Sequence, residues 1–257
     1  MDIKKKMNTK ISVIMSTYNA MPYLRQAVFS ILKQTYKNFE FIVVDDASRD
    51  RSLDFLNAIK DKRLIIIKNK VNLGLAASLN LALSKAKGKY IARMDADDIS
   101  EPNRLKTQLE FMQSNPKIDI CGTYVSVINE RGKSIGRLKK PLTDRDIKKQ
   151  LYWLTPLFHP TWFAKRSVFD SIEGYDEKWD YVEDFDFLIR AKKFKMANIP
   201  KELLKFRSQN KRRSQKDIEK IYKKGFQIRL FYFKKDELGI TYIPYLLRSF
   251  VTTYFFP

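Results

Sequence analysis

The chain has 257 residues, 44% of them hydrophobic, which suits one large α/β domain or a domain with a helical appendage and excludes a disordered polymer. Its single cysteine, Cys121, excludes an intramolecular disulfide and a multi-cysteine zinc site and points to a reducing compartment. The formal net charge of +21 calls for an anionic partner or a solvated basic face, and much of the excess lies beyond residue 200.

Lys4, Lys5 and Lys6 look like the start of a signal peptide, but the apolar stretch behind them is short and has no small-residue cleavage site. No stretch approaches the roughly 18 uninterrupted apolar residues of a membrane span, so a cytoplasmic protein is expected. Residues 11–15 predict a strand, broken by Ser16-Thr17-Tyr18-Asn19. Pro22 then opens a helix with Leu24, Ala27, Val28, Ile31 and Leu32 at helical spacing. Residues 39–44 predict a second strand ending in Asp45-Asp46, and Ser48 and Asp50 suit the cap of a helix carrying Leu53, Leu56 and Ile59. A third strand over 64–67 is followed by Asn72-Leu73-Gly74, which turns into a helix through Ala76, Leu79, Ala82 and Leu83. The fourth strand spans residues 90–94.

Apolar strands alternating with helices predict a parallel sheet covered on both faces, a doubly wound α/β half. Such sheets bind ligands beyond the carboxyl ends of their strands. Thr17-Tyr18-Asn19, Asp45-Asp46 and Asp95-Asp97-Asp98 all fall there. There is no Gly-x-Gly-x-x-Gly after the first strand and no Gly-Lys-Ser/Thr loop, so neither a dinucleotide cofactor nor a P-loop is expected. Three carboxylates over four positions repel one another unless a cation sits among them, and hard oxygen ligands suit Mg²⁺ or Mn²⁺. The competing reading is a solvated acidic turn capping the next helix, since Asp98, Ser100 and Glu101-Pro102 are helix-start residues.

Beyond the acidic loop the pattern predicts a helix over 104–112, strands over 118–127 and 134–138, a helix over 144–153 and a short strand over 161–164. A helix follows with Glu183 and Asp184 near its start, where the helix dipole favours anions, and late strands cover 196–199 and 203–206. Cys121, Trp153, Trp162 and Trp179 read as core by default, and His159 as a loop histidine. Arg190 suits either a carboxylate or a phosphate. From 217 to about 238 runs a basic amphipathic helix with Tyr222, Phe226, Ile228, Phe231 and Phe233 among its lysines. The segment 242–256 is aromatic, interrupted by Pro244 and Arg248. Such a region suits an anionic membrane surface or packing on the domain.

Five blocks occur in a telling order: Ile11-Ser12-Val13-Ile14-Met15-Ser16-Thr17-Tyr18-Asn19, Ile42-Val43-Val44-Asp45-Asp46-Ala47-Ser48-Arg49-Asp50, Asn72-Leu73-Gly74, Met94-Asp95-Ala96-Asp97-Asp98 and Glu183-Asp184. Together they resemble family 2 glycosyltransferases, over residues from about 10 to about 207. The resemblance implies a GT-A fold: a Rossmann-like, mainly parallel sheet with helices on both faces. Here a basic helical C-terminal extension follows it. The implied division is a glycosyltransferase domain over 1–210, with a nucleotide-sugar half over 10–100 and an acceptor half over 101–210, then a C-terminal region over 211–257.

The implied activity is inverting, Mn²⁺- or Mg²⁺-dependent transfer of a hexosyl or N-acetylhexosaminyl group. The donor would be a nucleotide-sugar, a UDP-sugar first. The acceptor would be a saccharide of bacterial cell-surface polysaccharide or lipooligosaccharide, on a lipid carrier at the inner face of the membrane. Ser16 and Tyr18 would line the base site, with Thr17, Asn19, Asp45, Asn72, Gly74, Arg93 and Ala96 also around the nucleotide-sugar. Asp46 would hydrogen-bond the uracil ring and Asp95 the ribose or donor sugar. Asp97 would ligate the metal, with Asp95, Asp98 and His159 as further candidates. Asp184 matches the general base, with Glu183 beside it. Partial desolvation among Tyr181, Phe185 and Phe187 would raise its pKa, and Asp186 competes for the role. The alternative is a non-catalytic nucleotide-sugar or saccharide binder on the same fold. Nucleic acid is not expected, because no nucleic-acid motif accompanies the basic residues and the acidic loops at the strand ends would repel phosphate without metal.

Overall fold

The structure, a computed structural model, describes residues 10–151, 154–208, 215–234, 243–244 and 246–248. Trp153 and most of the aromatic segment expected over 242–256 lie outside them. In the first half, β1 (Ile11–Thr17), β2 (Phe39–Asp45), β3 (Leu64–Lys68) and β4 (Tyr90–Arg93) pair in parallel, in the order β3-β2-β1-β4. They alternate with α1 (Leu24–Leu32), α2 (Ser52–Asn57) and α3 (Leu75–Lys85).

Successive strand residues point to opposite faces. Val13, Met15, Phe41 and Val43 meet Val28 and Ile31 of α1 on one side. Ile14, Ile42 and Val44 meet Leu79 and Ala82 of α3 on the other. Both faces of β1, β2 and β4 are covered, which is why they read as apolar throughout rather than alternating, while β3 at the sheet edge stays partly exposed. The register sets Thr17 beside Asp45 and Ile14 beside Arg93, so the loops after β1, β2 and β4 open on one edge. Pro22 stands in the turn before α1, not at its first position.

At the opposite edge the Lys87-Gly88 turn closes onto Ser12. Ser12 Oγ accepts from Gly88 N at 2.7 Å and donates to Glu40 Oε1 at 2.6 Å. A Cβ on Gly88 would sit 2.4 Å from Ser12 N and 2.7 Å from Ile11 C, both backbone atoms that cannot step aside. Gly88→Ala is therefore expected to cost about 1–3 kcal/mol, read as a lower midpoint in denaturant melts.

The second half is mixed, as the loss of alternation predicted. Its elements are β5 (Ile99–Ser100), α4 (Arg104–Ser114), β6 (Ile120–Ile128), β7 (Ser134–Leu138), α5 (Asp144–Gln150), β8 (Phe163–Lys165), α6 (Arg166–Ser171), α7 (Glu183–Arg190), β9 (Met196–Arg207) and α8 (Gln215–Lys234). β8 joins the halves, antiparallel to both β4 and β6, and β6 runs parallel to β9. Some details differ from the sequence pattern. The late strands are one, β9, because a register shift opposite Thr123–Val125 absorbs the exposed Pro200-Lys201 step without breaking the ladder. The short elements β5 and α6 have too few residues for a periodic signal.

Cys121 is buried, and burial pushes its thiol up to about 12, as befits core filler. Trp162 and Trp179 are also buried in the core. The basic helix α8 docks on the domain. Ile228 and Tyr232 are buried in the same cluster as Trp179 and Phe185. Among the described residues no helix is long and apolar enough to cross a membrane.

Candidate active site

At the carboxyl edge, Asp46 ties three segments together. Its amide donates to Thr17 O at 2.8 Å, and its carboxylate accepts from Leu73 N at 2.8 Å, Gly74 N at 2.9 Å and Asn69 Nδ2 at 2.7 Å. Asn72 Nδ2 reaches Asp46 O at 3.3 Å. Asp46, expected at a uracil ring, thus directs both oxygens at protein donors and is 2% exposed. Gly74 has φ +91, a conformation that the turn into α3 requires and that L side chains rarely adopt. Asn19 zips β1 to β2, its amide donating to Ser48 Oγ at 3.0 Å and its Oδ1 accepting from Arg49 N at 2.8 Å. Asp45 Oδ1 and Thr17 Oγ1 are buried with no hydrogen-bond partner among the described residues. Tyr18 is exposed and Ser16 half-buried at the same edge.

The acidic loop brings Asp95, Asp97 and Asp98 together, with one carboxylate oxygen of each within 4.8 Å of the others. Asp97 and Asp98 are buried; Asp95 and Ala96 are half-exposed. Buried arginines from three elements surround them. Arg93 of β4 pairs with Asp95 at 2.5 Å. Arg104 of α4 donates to Arg93 O at 2.6 Å and to Gln108 Oε1 at 2.9 Å. Arg207 of β9 donates from Nε to Asp97 O at 2.8 Å and from its amide to Asp98 Oδ1 at 2.8 Å.

Burial and the charge of Asp95 push Asp98 up to about 8, while burial pulls Arg104 down to about 10. Asp98 Oδ2 is buried with no hydrogen-bond partner among the described residues. A solvated helix cap is not what forms, because α4 follows Asn103, which makes no side-chain cap, and two of the three acids are buried. The donor set, all hard oxygen with a buried oxygen unpartnered, fits a small divalent cation.

A cleft of about 450 Å³ runs from this loop to the start of α7, lined by Arg93, Asp95, His159, Tyr181, Glu183 and Asp184. Asp184 is half-buried, its Oδ1 accepting from Phe185 N at 2.8 Å. Beside it, burial and the neighbouring Asp184 push Glu183 up to about 8. Asp186 is excluded from the cleft. It is fully buried, accepting from Arg190 Nη2 at 2.5 Å and from Tyr232 Oη at 2.5 Å. Arg190 also donates to Gly174 O at 2.9 Å, so it serves the fold rather than a phosphate.

His159, a candidate metal ligand, does not join the carboxylate cluster. Its ring packs against Trp162 and Tyr175, and Nε2 hydrogen-bonds Tyr175 Oη at 2.8 Å. Burial and the charge of Arg93 hold its pKa well below the usual value, so it faces Glu183, 3.9 Å away, as a neutral ring. Lys140 carries no motif that would mark it as a site residue in the sequence. Its Nζ donates to Thr155 O at 2.7 Å and lies 4.8 Å from the Phe158 ring centre, and the field of Asp184 opposes the lowering of its pKa by burial.

Asp98 and Glu183 have a stability consequence. Each binds its proton to about pH 8 in the folded chain but only to the ordinary carboxylate range when unfolded. The native state therefore holds the extra protons, and their contribution is lost as pH rises from about 5 to about 8. Asp50, Asp61 and Asp144 are shifted downward and act below this window. His159, held neutral in the fold, opposes the two acids up to its ordinary pKa of about 6.5, so the fall is steepest above that pH. In metal-free buffer the melting temperature is expected to fall across that range. Asp98→Asn or added Mn²⁺ should flatten the slope, which calorimetry at stepped pH would read.

Residues 12–173 match the model of Glycosyl transferase family 2. An uncharacterized glycosyltransferase of Methanocaldococcus jannaschii is 38% identical over 208 residues, covering 78% of this chain and 71% of its own. The UDP-Glc:alpha-D-GlcNAc-diphosphoundecaprenol beta-1,3-glucosyltransferase WfaP of Escherichia coli is 43% identical over 104 residues, 40% of this chain and 41% of its own. Among solved structures, S. aureus TarS 1-349 in complex with UDP-GlcNAc aligns with a TM-score of 0.70 at 22% identity, covering 94% of this chain and 72% of that one. At that identity the likeness bears on the fold, which is GT-A. Glu183 and Asp184 lie beyond the residues matched by the family model.

Proposed function

The chain belongs to glycosyl transferase family 2, and from that premise we propose that it inverts the anomeric centre while moving a hexosyl or N-acetylhexosaminyl group from a UDP-sugar to a saccharide acceptor. One observation carries the reading: one cleft is lined both by Asp95, whose carboxylate clusters with those of Asp97 and Asp98 behind it, and by the half-buried Asp184. A nucleoside diphosphate leaving group and an acceptor hydroxyl need those two chemistries within one site. UDP is favoured as the carrier because the WfaP name specifies UDP-Glc and the TarS complex holds UDP-GlcNAc.

Asp97, with Asp95 and Asp98, would hold Mn²⁺ or Mg²⁺. When bound, that ion supplies Lewis-acid neutralisation of the departing diphosphate. Asp184 takes the proton of the acceptor hydroxyl, so the oxygen attacks the anomeric carbon from the side opposite the leaving group and configuration inverts. Glu183, kept protonated by burial, adds no second charge beside the base. Tyr18, exposed at the strand edge, offers a ring for the nucleotide base, and Asp46 holds the Asn72–Gly74 loop that borders it.

The acceptor half over 101–210 contributes the cleft wall from Thr155 to Asp184. We place the acceptor on a lipid carrier of surface polysaccharide or lipooligosaccharide synthesis, and the protein at the inner face of the membrane. The basic α8 and the diphosphoundecaprenol-linked acceptor in the name of WfaP support this.

Calorimetric titration of UDP, with Mn²⁺ or with EDTA, tests the donor site. Metal-dependent binding that disappears in Asp97→Ala is expected. Binding indifferent to EDTA would remove the metal from the reading, and no binding under either condition would remove UDP.

A further inference from the structure

A second cavity, of about 360 Å³, lies where α8 crosses the segment leading into α7. Among the described residues its walls carry Lys178, Lys224 and Lys234 and no acid, above an apolar floor of Trp179, Leu230 and Phe231. Two of the lysines have defined contacts. Lys178 Nζ stands 5.2 Å from the Trp179 ring centre and 4.9 Å from that of Phe231. Lys224 Nζ donates to Lys178 O at 2.5 Å. Ammonium groups gathered around one cavity repel one another, and an anion seated among them removes that cost.

The floor narrows the class of anion. A small hydrated ion gains nothing from two aromatic rings and a leucine, whereas an amphiphile sets its phosphate on the lysines and its chain on the rings. We propose that this cavity binds the phosphate of a membrane lipid. The position gives such binding a use. Lys220, one turn before Lys224 on α8, lies 5.6 Å from the ring centre of Tyr181, and Tyr181 lines the catalytic cleft. One short segment thus borders both: Lys178 and Trp179 line the cavity, and Tyr181, Glu183 and Asp184 line the cleft, so a lipid held in the cavity would sit beside the catalytic segment. This inference rests on the reading above for the lipid-borne acceptor and is independent of the donor site.

The test is sedimentation of the full chain with phosphatidylcholine vesicles, with or without phosphatidylglycerol. Wild type should bind only the anionic vesicles, and Lys178→Ala/Lys224→Ala should weaken that binding about tenfold or more. Lys33→Ala/Lys37→Ala removes the same charge from exposed positions around the end of α1, a helix packed on the opposite face of the sheet from α8, and should leave binding unchanged. Equal losses in the two variants would reduce the effect to net charge and overturn the proposal, as would full binding by the Lys178/Lys224 variant. Inorganic phosphate that displaces the protein from vesicles at equal phosphate concentration would also overturn it, making free phosphate the ligand. UDP titration of each variant, with the milder Lys178→Gln alongside, separates these outcomes from misfolding. A wild type that binds anionic vesicles but not UDP would keep the cavity and fail the donor reading.

Discussion

Asp184→Asn is expected to lower the rate of transfer by about 10²–10⁴-fold while UDP binding and melting temperature stay near wild type. The asparagine keeps the shape and can still accept from Phe185 N, the hydrogen bond that holds Asp184 at the start of α7. What it loses is the ability to take a proton. The informative partner is Glu183→Gln. Burial holds Glu183 protonated to about pH 8, so the amide imitates its working state and most of the activity should persist. Initial rates of UDP release for the two variants decide the matter. Loss in Glu183→Gln with retention in Asp184→Asn would exchange their roles. Asp186→Asn should behave as neither, lowering stability through Arg190 and Tyr232 with little effect on rate in the folded fraction.

Arg207→Met is expected to destabilise the chain by about 3–5 kcal/mol, the usual cost of deleting one partner from a buried charged network. Arg207 is 1% exposed, and its guanidinium reaches the acidic loop, the β6–β7 turn and α1 with the turn before it. Besides Asp97 O, it donates to the carbonyls of Asn129 and Glu130 at 3.0 Å and to Gln26 Oε1 at 2.7 Å, and it lies 4.4 Å from the Tyr23 ring centre. Methionine fills the volume but leaves those carbonyls unsatisfied. Because the same side chain holds the backbone of Asp97, Mn²⁺ affinity measured on the folded variant should fall as well. A variant that melts lower but binds Mn²⁺ and UDP as wild type does would make Arg207 a staple of the fold alone.

The resemblance blocks and the strand pattern were legible in the sequence because each is local. Continuous apolar runs marked β1, β2 and β4, the breaks after them marked the ligand edge, and adjacent acids marked the Asp95–Asp98 loop and the start of α7. Topology then made it predictable that these would converge. What local signals could not show was which groups would spend themselves on one another. Asp46 has the residue type of a ligand contact, and only the folded chain shows its oxygens turned to Leu73, Gly74 and Asn69. Asp184 and Asp186 are equivalent in sequence, and α8, docking from far along the chain, supplies the Tyr232 that takes Asp186 into the core. Arg93, Arg104 and Arg207 carry no shared spacing, yet they meet around one acidic loop because β4 and β9 end there and α4 begins there. Periodicity over a few residues determines which elements form and which face they bury. The partner of a buried charge is chosen by electrostatics between segments more than a hundred residues apart, which only the tertiary structure brings within reach.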